Sequence, residues 1–381
     1  MKYLTRELET TLQRYLKAFP VVGITGPRQS GKSTLLKHLL NKEYEYVTFD
    51  DFRILSILKD DPEKFIRIYS NKVIFDEVHK APEIFNLIKI AVDNDRDNYG
   101  KYIITGSAQF SLMKNASESL AGRIGLLTLL PFQYSEIPNK QHNLSVFKGG
   151  YPELVIRNYD FSDEWFSSYL ETYLNRDLRL LSNIGDLADY RKLLQLLAGR
   201  CSQILNLSEI ARDLGVTVTT IKKWISVLEA SYTVFLLPPF YKNYGKRVIK
   251  SPKIYFYDTG LVSFLLGIDN KVIFEKSAMY GPLFENYIIS EIVKKEVHKK
   301  SNTNFYFYRS SYGLETDLII DRKTYKEWIE IKASETFRPQ MTTAIETLIE
   351  PEDNGFVIYN GKDIPYTGNI KILNYKNYLP D

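Results

Sequence analysis

The chain has 381 residues, of which 44% are hydrophobic and 25% charged, with a net charge of +4. This balance excludes a disordered or fibrous chain, and the length predicts two to four domains rather than one core. Cys201 is the single cysteine, which excludes an intramolecular disulfide and a cysteine-based zinc site and suits a reducing compartment. No apolar run nears the ~20 residues of a membrane helix. The segment Met1 to Glu7 has no apolar signal core. A cytoplasmic protein with no membrane partner is therefore expected. The 28 Tyr and 21 Phe are read as core and interface residues.

In chain order, Val21 to Thr25 reads as a buried strand and Thr34 to Leu40 as a helix. Between them Gly26, Pro27, Arg28, Gln29, Ser30, Gly31, Lys32 and Ser33 fit G-x-x-x-x-G-K-[ST] without a mismatch. Each part has a physical reason. The glycines let backbone N–H groups curl round phosphates, Lys32 reaches the β and γ oxygens, and the Ser33 hydroxyl ligates Mg²⁺. The following helix starts at Thr34, so its N-terminus faces the anion. ATP and Mg²⁺ are the expected cofactors.

Further apolar strands end in polar residues: Tyr46 to Phe49 before Asp50, Val73 to Phe75 before Asp76-Glu77, Tyr102 to Ile104 before Thr105-Gly106-Ser107, and then Leu126 to Leu129. Alternation with helical segments predicts a parallel sheet covered on both faces, with ligands beyond the strand carboxyl ends. Asp76 is expected to hold Mg²⁺ and Glu77 to orient and deprotonate water. Ser107 is a candidate sensor of the γ-phosphate, with a plain Gly turn as the other reading. Arg123 is a candidate for stabilising phosphoryl charge, in its own subunit or a neighbour's.

Together the phosphate loop, Phe75-Asp76-Glu77-Val78-His79, Thr105-Gly106-Ser107 and Leu120-Ala121-Gly122-Arg123-Ile124 resemble a large prokaryotic family of AAA-type ATPases. In that family an N-terminal AAA domain is joined to a further C-terminal domain. The resemblance spans nearly the whole chain. It implies an extra strand between the phosphate-loop strand and the Asp76 strand. It also implies Glu77 as the catalytic glutamate, Ser107 in the first sensor, and Arg123 as arginine finger or sensor. Separately, a homo-oligomer is one possible assembly.

After Pro131 the pattern changes. Gly149-Gly150-Tyr151-Pro152-Glu153 is a turn-rich junction, and Phe161 to about Leu197 is helical by spacing. Leu207 to Val216 and Thr217 to Leu228 read as a helix-turn-helix. Ser208 is its cap, Gly215 its turn, and Ile210, Ala211, Leu214, Ile221, Trp224, Ile225 and Leu228 its core. The strand Tyr232 to Leu237 would make it winged. Lys222, Lys223, Lys242, Lys246, Arg247 and Lys250 are candidate contacts to DNA or RNA. Lys253 belongs to the same basic run, which interleaves with Tyr241, Tyr244, Tyr255 and Tyr257. An interdomain joint is the equal alternative.

The last third carries Glu285 on a helix, Asp317 within one strand, and Glu330 and Lys332 on one face of another. The spacing Asp-x12-Glu-x-Lys resembles the PD-(D/E)XK nuclease fold. Asp317 and Glu330 would ligate Mg²⁺ and Lys332 would position water. An active nuclease and a binding module on the same fold both remain open.

The expected fold class is α/β. An AAA-type P-loop domain with a parallel sheet covers 1–137, and a helical lid 138–200. A winged helix-turn-helix covers 201–260, and a restriction-endonuclease-like α/β domain 261–381. The expected function is Mg²⁺-dependent ATP hydrolysis coupled to a C-terminal effector. The alternatives are a metal-dependent nuclease under nucleotide control and a DNA-binding switch ATPase.

Overall fold

The computed structural model describes residues 3–106, 118–181, 187–240, 250–365 and 368–380. The chain splits into two compact units. The first is Met1–Phe132 with Ala230–Tyr232 and Val297–Lys300; the second is Gln133–Glu229, Thr233–Glu296 and Ser301–Asp381.

Five short strands form the sheet of the first unit: β1 (Val21–Thr25), β2 (Glu45–Thr48), β3 (Val73–Asp76), β4 (Tyr102–Thr105) and β5 (Ile124–Thr128). Their order is β2-β3-β4-β1-β5, and every pairing is parallel. β4 lies between β1 and β3, which is the inserted strand expected above. Because strand side chains alternate, the continuous apolar runs supply two cores. Val21, Val73, Phe75, Tyr102 and Ile104 face one side, under helices Phe52–Asp60, Pro62–Ile68 and Ile84–Asp93. Val22, Ile24, Ile74, Ile103 and Leu127 face the other, under helices Leu8–Leu16 and Lys32–Leu40.

The second unit opens with helices His142–Lys148, Pro152–Ile156, Ser162–Leu181 and Leu187–Ala198. The Gly149-Gly150 junction wraps a buried carboxylate. Gly149 has φ +78°, and a Cβ there would lie 2.1 Å from Oδ1 of Asp258. The Gly150 N–H donates to Asp258 Oδ2 at 2.7 Å, and Asp258 also caps helix Thr259–Leu265 through the Leu261 N–H at 3.1 Å. Only glycine tolerates both the left-handed φ and the close approach.

Helices Leu207–Leu214 and Val218–Ala230 follow, with Gly215 in the left-handed turn between them. The cap differs from expectation: Asn206, not Ser208, accepts the Glu209 N–H at 3.2 Å. Asn206 sits one residue before the helix in extended backbone, where a side-chain oxygen can reach the third amide. Of the expected core, Leu214 is only half-buried, while the other six residues are buried. β6 (Val234–Leu237) then pairs antiparallel with β7 (Lys253–Phe256).

Helix Tyr280–Lys299 leads into a second sheet of β8 (Asn304–Arg309), β9 (Glu315–Asp321), β10 (Lys326–Lys332), β11 (Asn354–Tyr359) and β12 (Ile370–Asn374). β8, β9 and β10 run antiparallel in sequence order; β11 and β12 add in parallel. Among the described residues, no helix is long and apolar enough to cross a membrane.

Candidate nucleotide site and a C-terminal charge cluster

The phosphate loop leaves β1 at its carboxyl end. Gly26 has φ +138°, Gln29 φ 59° and Gly31 φ 92°, so the loop needs three left-handed steps to curl. A Cβ on Gly26 would lie 2.1 Å from the Leu129 carbonyl oxygen, so the first glycine is also required by space. Gly31 starts helix Lys32–Leu40. The Lys32 ammonium is buried and donates to the carbonyls of Gly26 at 3.0 Å and Pro27 at 2.8 Å, bracing the loop from within. Arg28 is half-buried, Gln29 and Thr34 are exposed, and Pro27 and Ser30 are buried.

Arg6, which closes the opening segment Tyr3-Leu4-Thr5-Arg6, clamps this loop. Its guanidinium donates to the carbonyls of Ser30 at 2.9 Å and Leu130 at 2.7 Å, and lies 4.6 Å from the centre of the Phe132 ring. Tyr232 contributes a second tie: its hydroxyl is 2.7 Å from that of Thr25, the last residue before the loop. Neither contact has a local signal, since the partners are tens to hundreds of residues apart.

Asp76 ends β3 beside the loop. The Ser33 hydroxyl donates to its Oδ2 at 3.2 Å, and the Tyr46 hydroxyl donates to the same oxygen. Burial, and after it the nearby Glu77 charge, holds the Asp76 carboxyl above its ordinary range against the hydrogen bonds from Tyr46 and Ser33. One hydroxyl and one buried carboxylate at this distance fit a hard divalent ion such as Mg²⁺, which takes oxygen ligands and keeps part of its water shell.

Glu77 follows in the left-handed region at φ 55° and ψ 43°, an uncommon conformation for a residue with a side chain. Strain of this kind concentrates where a side chain must be aimed. His79 Nδ1 approaches Glu77 Oε2 at 3.1 Å without the alignment of a hydrogen bond. Thr105, ending β4, has a buried hydroxyl without a hydrogen-bond partner among the described residues. Ser107 lies outside the described residues.

Arg123 stands just before β5. Its guanidinium holds Asp93 through Nε at 2.6 Å and Nη2 at 2.9 Å. The strand register pairs Val21 with Ile124 and Thr25 with Thr128. Arg123 is therefore at the opposite end of the sheet from its own phosphate loop, about five strand residues or ~16 Å away.

In the second unit, Glu285, Asp317, Glu330 and Lys332 come together as the spacing predicts, with three partners it did not reveal. Lys332 Nζ is 2.5 Å from Glu330 Oε1 and 3.6 Å from Asp317 Oδ2. Lys253 Nζ is 3.2 Å from Glu285 Oε1, 2.8 Å from Glu315 Oε1 and 3.7 Å from Asp317 Oδ1. The Tyr255 hydroxyl donates to Glu285 Oε1 at 2.6 Å, and the Ile331 N–H to Asp317 Oδ2 at 2.9 Å. This corrects one expectation. Lys253 and Tyr255 are buried on one face of β7 and are not available to nucleic acid, whereas Lys222, Lys223 and Lys250 are exposed. Lys242, Lys246 and Arg247 lie outside the described residues.

Burial, then the Asp317 charge, pushes Glu285 up to about 7 and Glu330 up to about 8. Burial works to lower Lys253 and Lys332, but the surrounding carboxylates outweigh it and hold both lysines protonated, above their ordinary value. The nuclease-like spacing implies a divalent ion here, and the arrangement does not fit one. The ammonium groups stand between the carboxylates, and with them in place no group of three acidic, histidine or cysteine side chains among the described residues is arranged to hold a metal.

Comparison with known proteins agrees with the first unit. Residues 18–138 match a family described as AAA domain. Residues 139–272 and 280–378 match two domains of unknown function, DUF8612 and DUF4143. The uncharacterized protein Rv2008c of Mycobacterium tuberculosis is 31% identical over 333 residues, covering 87% of this chain and 74% of that one. An uncharacterized protein of Haemophilus influenzae is 22% identical over 311 residues, covering 71% and 74%. Among solved structures, the Walker-type ATPase PABY2304 of Pyrococcus abyssi aligns at 17% identity with a TM-score of 0.48, covering 68% of this chain and 95% of that one. With the identity to the mycobacterial protein extending over most of both chains, this chain belongs to the same family as Rv2008c, and its AAA domain holds both Lys32, at the start of helix Lys32–Leu40, and Asp76, at the end of β3.

Proposed function

We propose that the chain binds ATP with Mg²⁺ and hydrolyses it, and that the nucleotide state controls the C-terminal part of the chain as an effector. The observation that carries this reading is the Ser33–Asp76 contact, with Glu77 next in the chain. Ser33 and Asp76 would hold Mg²⁺, whose charge would offset that of the phosphates. The loop amides and Lys32 bind and orient the phosphates. Glu77 orients the attacking water and takes its proton. The buried Thr105 hydroxyl is a polar group available to the same end of the sheet, in the role expected of Ser107.

Because Arg123 is remote from its own loop, a role in phosphoryl transfer would be toward a neighbouring copy, which favours a homo-oligomer. In this reading 1–137 is the ATPase domain, 138–200 the lid, 201–260 the winged helix-turn-helix and 261–381 the nuclease-like domain, acting in the cytoplasm. Phosphate release under steady state tests the core. Lys32→Ala should abolish turnover, and Glu77→Gln should bind ATP and stall. Full turnover in both variants would remove the reading.

A metal-dependent nuclease is the second reading. In its support are the two antiparallel pairings followed by a parallel one, and the shared face of Asp317, Glu330 and Lys332. Against it stand the ammonium groups in the cluster. Cleavage of DNA or RNA that is lost in Asp317→Ala would establish it. The helix-turn-helix offers Lys222, Lys223 and Lys250 to a nucleic-acid backbone, and salt-sensitive DNA binding by the intact chain would support that contact.

A further inference from the structure

The charges of the C-terminal cluster form one connected series in which signs alternate: Glu285, Lys253, Asp317, Lys332, Glu330, with Glu315 also on Lys253. Asp317 sits at its centre with one oxygen toward each ammonium. A divalent ion needs several oxygens around one point at about 2.0–2.6 Å. Here that convergence is replaced by a salt-bridge series, and the position among Glu285, Glu315 and Asp317 is filled by an ammonium.

Lys253 is built to stay there. It is 3% exposed, and it is carried on a strand, with Lys253 paired to Leu237 across the β6–β7 ladder. Tyr255, two residues on and on the same face, donates to the same Glu285 oxygen. Withdrawing the ammonium would leave the facing oxygens of Glu285, Glu315 and Asp317 with only the outlying Arg309, 3.5 Å from Glu315, and Lys332, 3.6 Å from Asp317, a costly state unless another cation arrives.

We propose that Lys253 is the resident cation of this centre: its ammonium stands where a divalent metal would otherwise be held, and it closes the folded C-terminal unit to Mg²⁺ and Mn²⁺. This goes beyond ATP hydrolysis and does not depend on it. It also makes the nuclease reading conditional on displacement of one lysine.

The test is Mn²⁺ uptake by the full chain without nucleotide, followed by electron paramagnetic resonance of the free ion. Comparison with Asp317→Asn separates this cluster from the Ser33–Asp76 site. Wild type and Asp317→Asn should take up the same amount. Lys253→Met should take up about one equivalent more, and Lys253→Met with Asp317→Asn should lose it. The proposal is overturned if wild type already shows an Asp317-dependent equivalent, or if folded Lys253→Met gains none. Should Lys253→Met not fold in metal-free buffer, refolding in Mn²⁺ but not in Na⁺ supports the proposal, and failure in both counts against it. Phosphate release is measured separately, so failure of the ATPase reading is not confused with failure here.

Discussion

The Ser33 hydroxyl donates to Oδ2 of Asp76 across 3.2 Å, joining the end of the phosphate loop to the end of β3. The Tyr46 hydroxyl, from the neighbouring β2, donates to the same oxygen. Asp76 is thus held by two hydroxyls. Replacing it with Asn removes the charge but keeps the shape. Asp76→Asn should raise the Mg²⁺ needed for half-maximal phosphate release about tenfold or more. Tyr46→Phe should change that requirement by only about threefold, because Ser33 still orients the carboxylate. An unchanged Mg²⁺ requirement in Asp76→Asn would separate Asp76 from the metal.

Gly26 cannot carry a side chain without moving the loop, since the added carbon would meet the Leu129 carbonyl at 2.1 Å. That carbonyl is backbone rather than the end of a flexible side chain, so the loop itself must shift. Gly26→Ala should weaken binding of a fluorescent ATP analogue by about tenfold or more while the far-ultraviolet spectrum stays native. Equal affinity in the variant would mean that the loop adapts without loss.

Arg6 is 4% exposed and satisfies two buried carbonyls, one of them in the phosphate loop. Truncation leaves both acceptors without their charged donor. Arg6→Ala should lower the stability of the first unit by about 3 kcal/mol in urea unfolding, because hydrogen bonds to a charged group are the stronger kind. A loss below about 0.5 kcal/mol, within the range of ordinary surface changes, would show that water replaces the guanidinium.

Stability should fall as pH rises toward 8. Glu285 and Glu330 both have folded values above the ordinary 4.5, at about 7 and about 8. The folded state therefore binds their protons more tightly than the unfolded chain does. Their contribution is fully present below about pH 4.5 and is lost as pH rises through the two folded values. The Lys253 and Lys332 ammonium groups that face them, both held above their ordinary value, stay charged over that window. Urea midpoints measured from about pH 5.5 to about pH 8.5 should decline, and Glu330→Gln should flatten the decline. A wild-type midpoint that climbs across the window would contradict the sign.

The local features were legible without a fold. A strand, a turn that needs glycine and a helix are written between Val21 and Leu40, and the Asp76-Glu77 strand end and the alternation that puts Glu330 and Lys332 on one face are equally local. These follow from backbone sterics and from the period of two along a strand. The cap at Asn206 was missed because Ser and Asn both suit that place, and only the helix start decides between them.

What the tertiary structure alone decided are the long-range pairings. Tyr46 meets Asp76 30 residues away, and Arg6 meets Leu130 across 124. Lys253 reads in sequence as one more member of a basic, tyrosine-rich run, suited to a solvated surface. Packing of β7 against helix Tyr280–Lys299 and β9 buries it instead among Glu285, Glu315 and Asp317. Charge type is set by the residue, but whether that charge faces water, a phosphate or three carboxylates is set by which strands become neighbours.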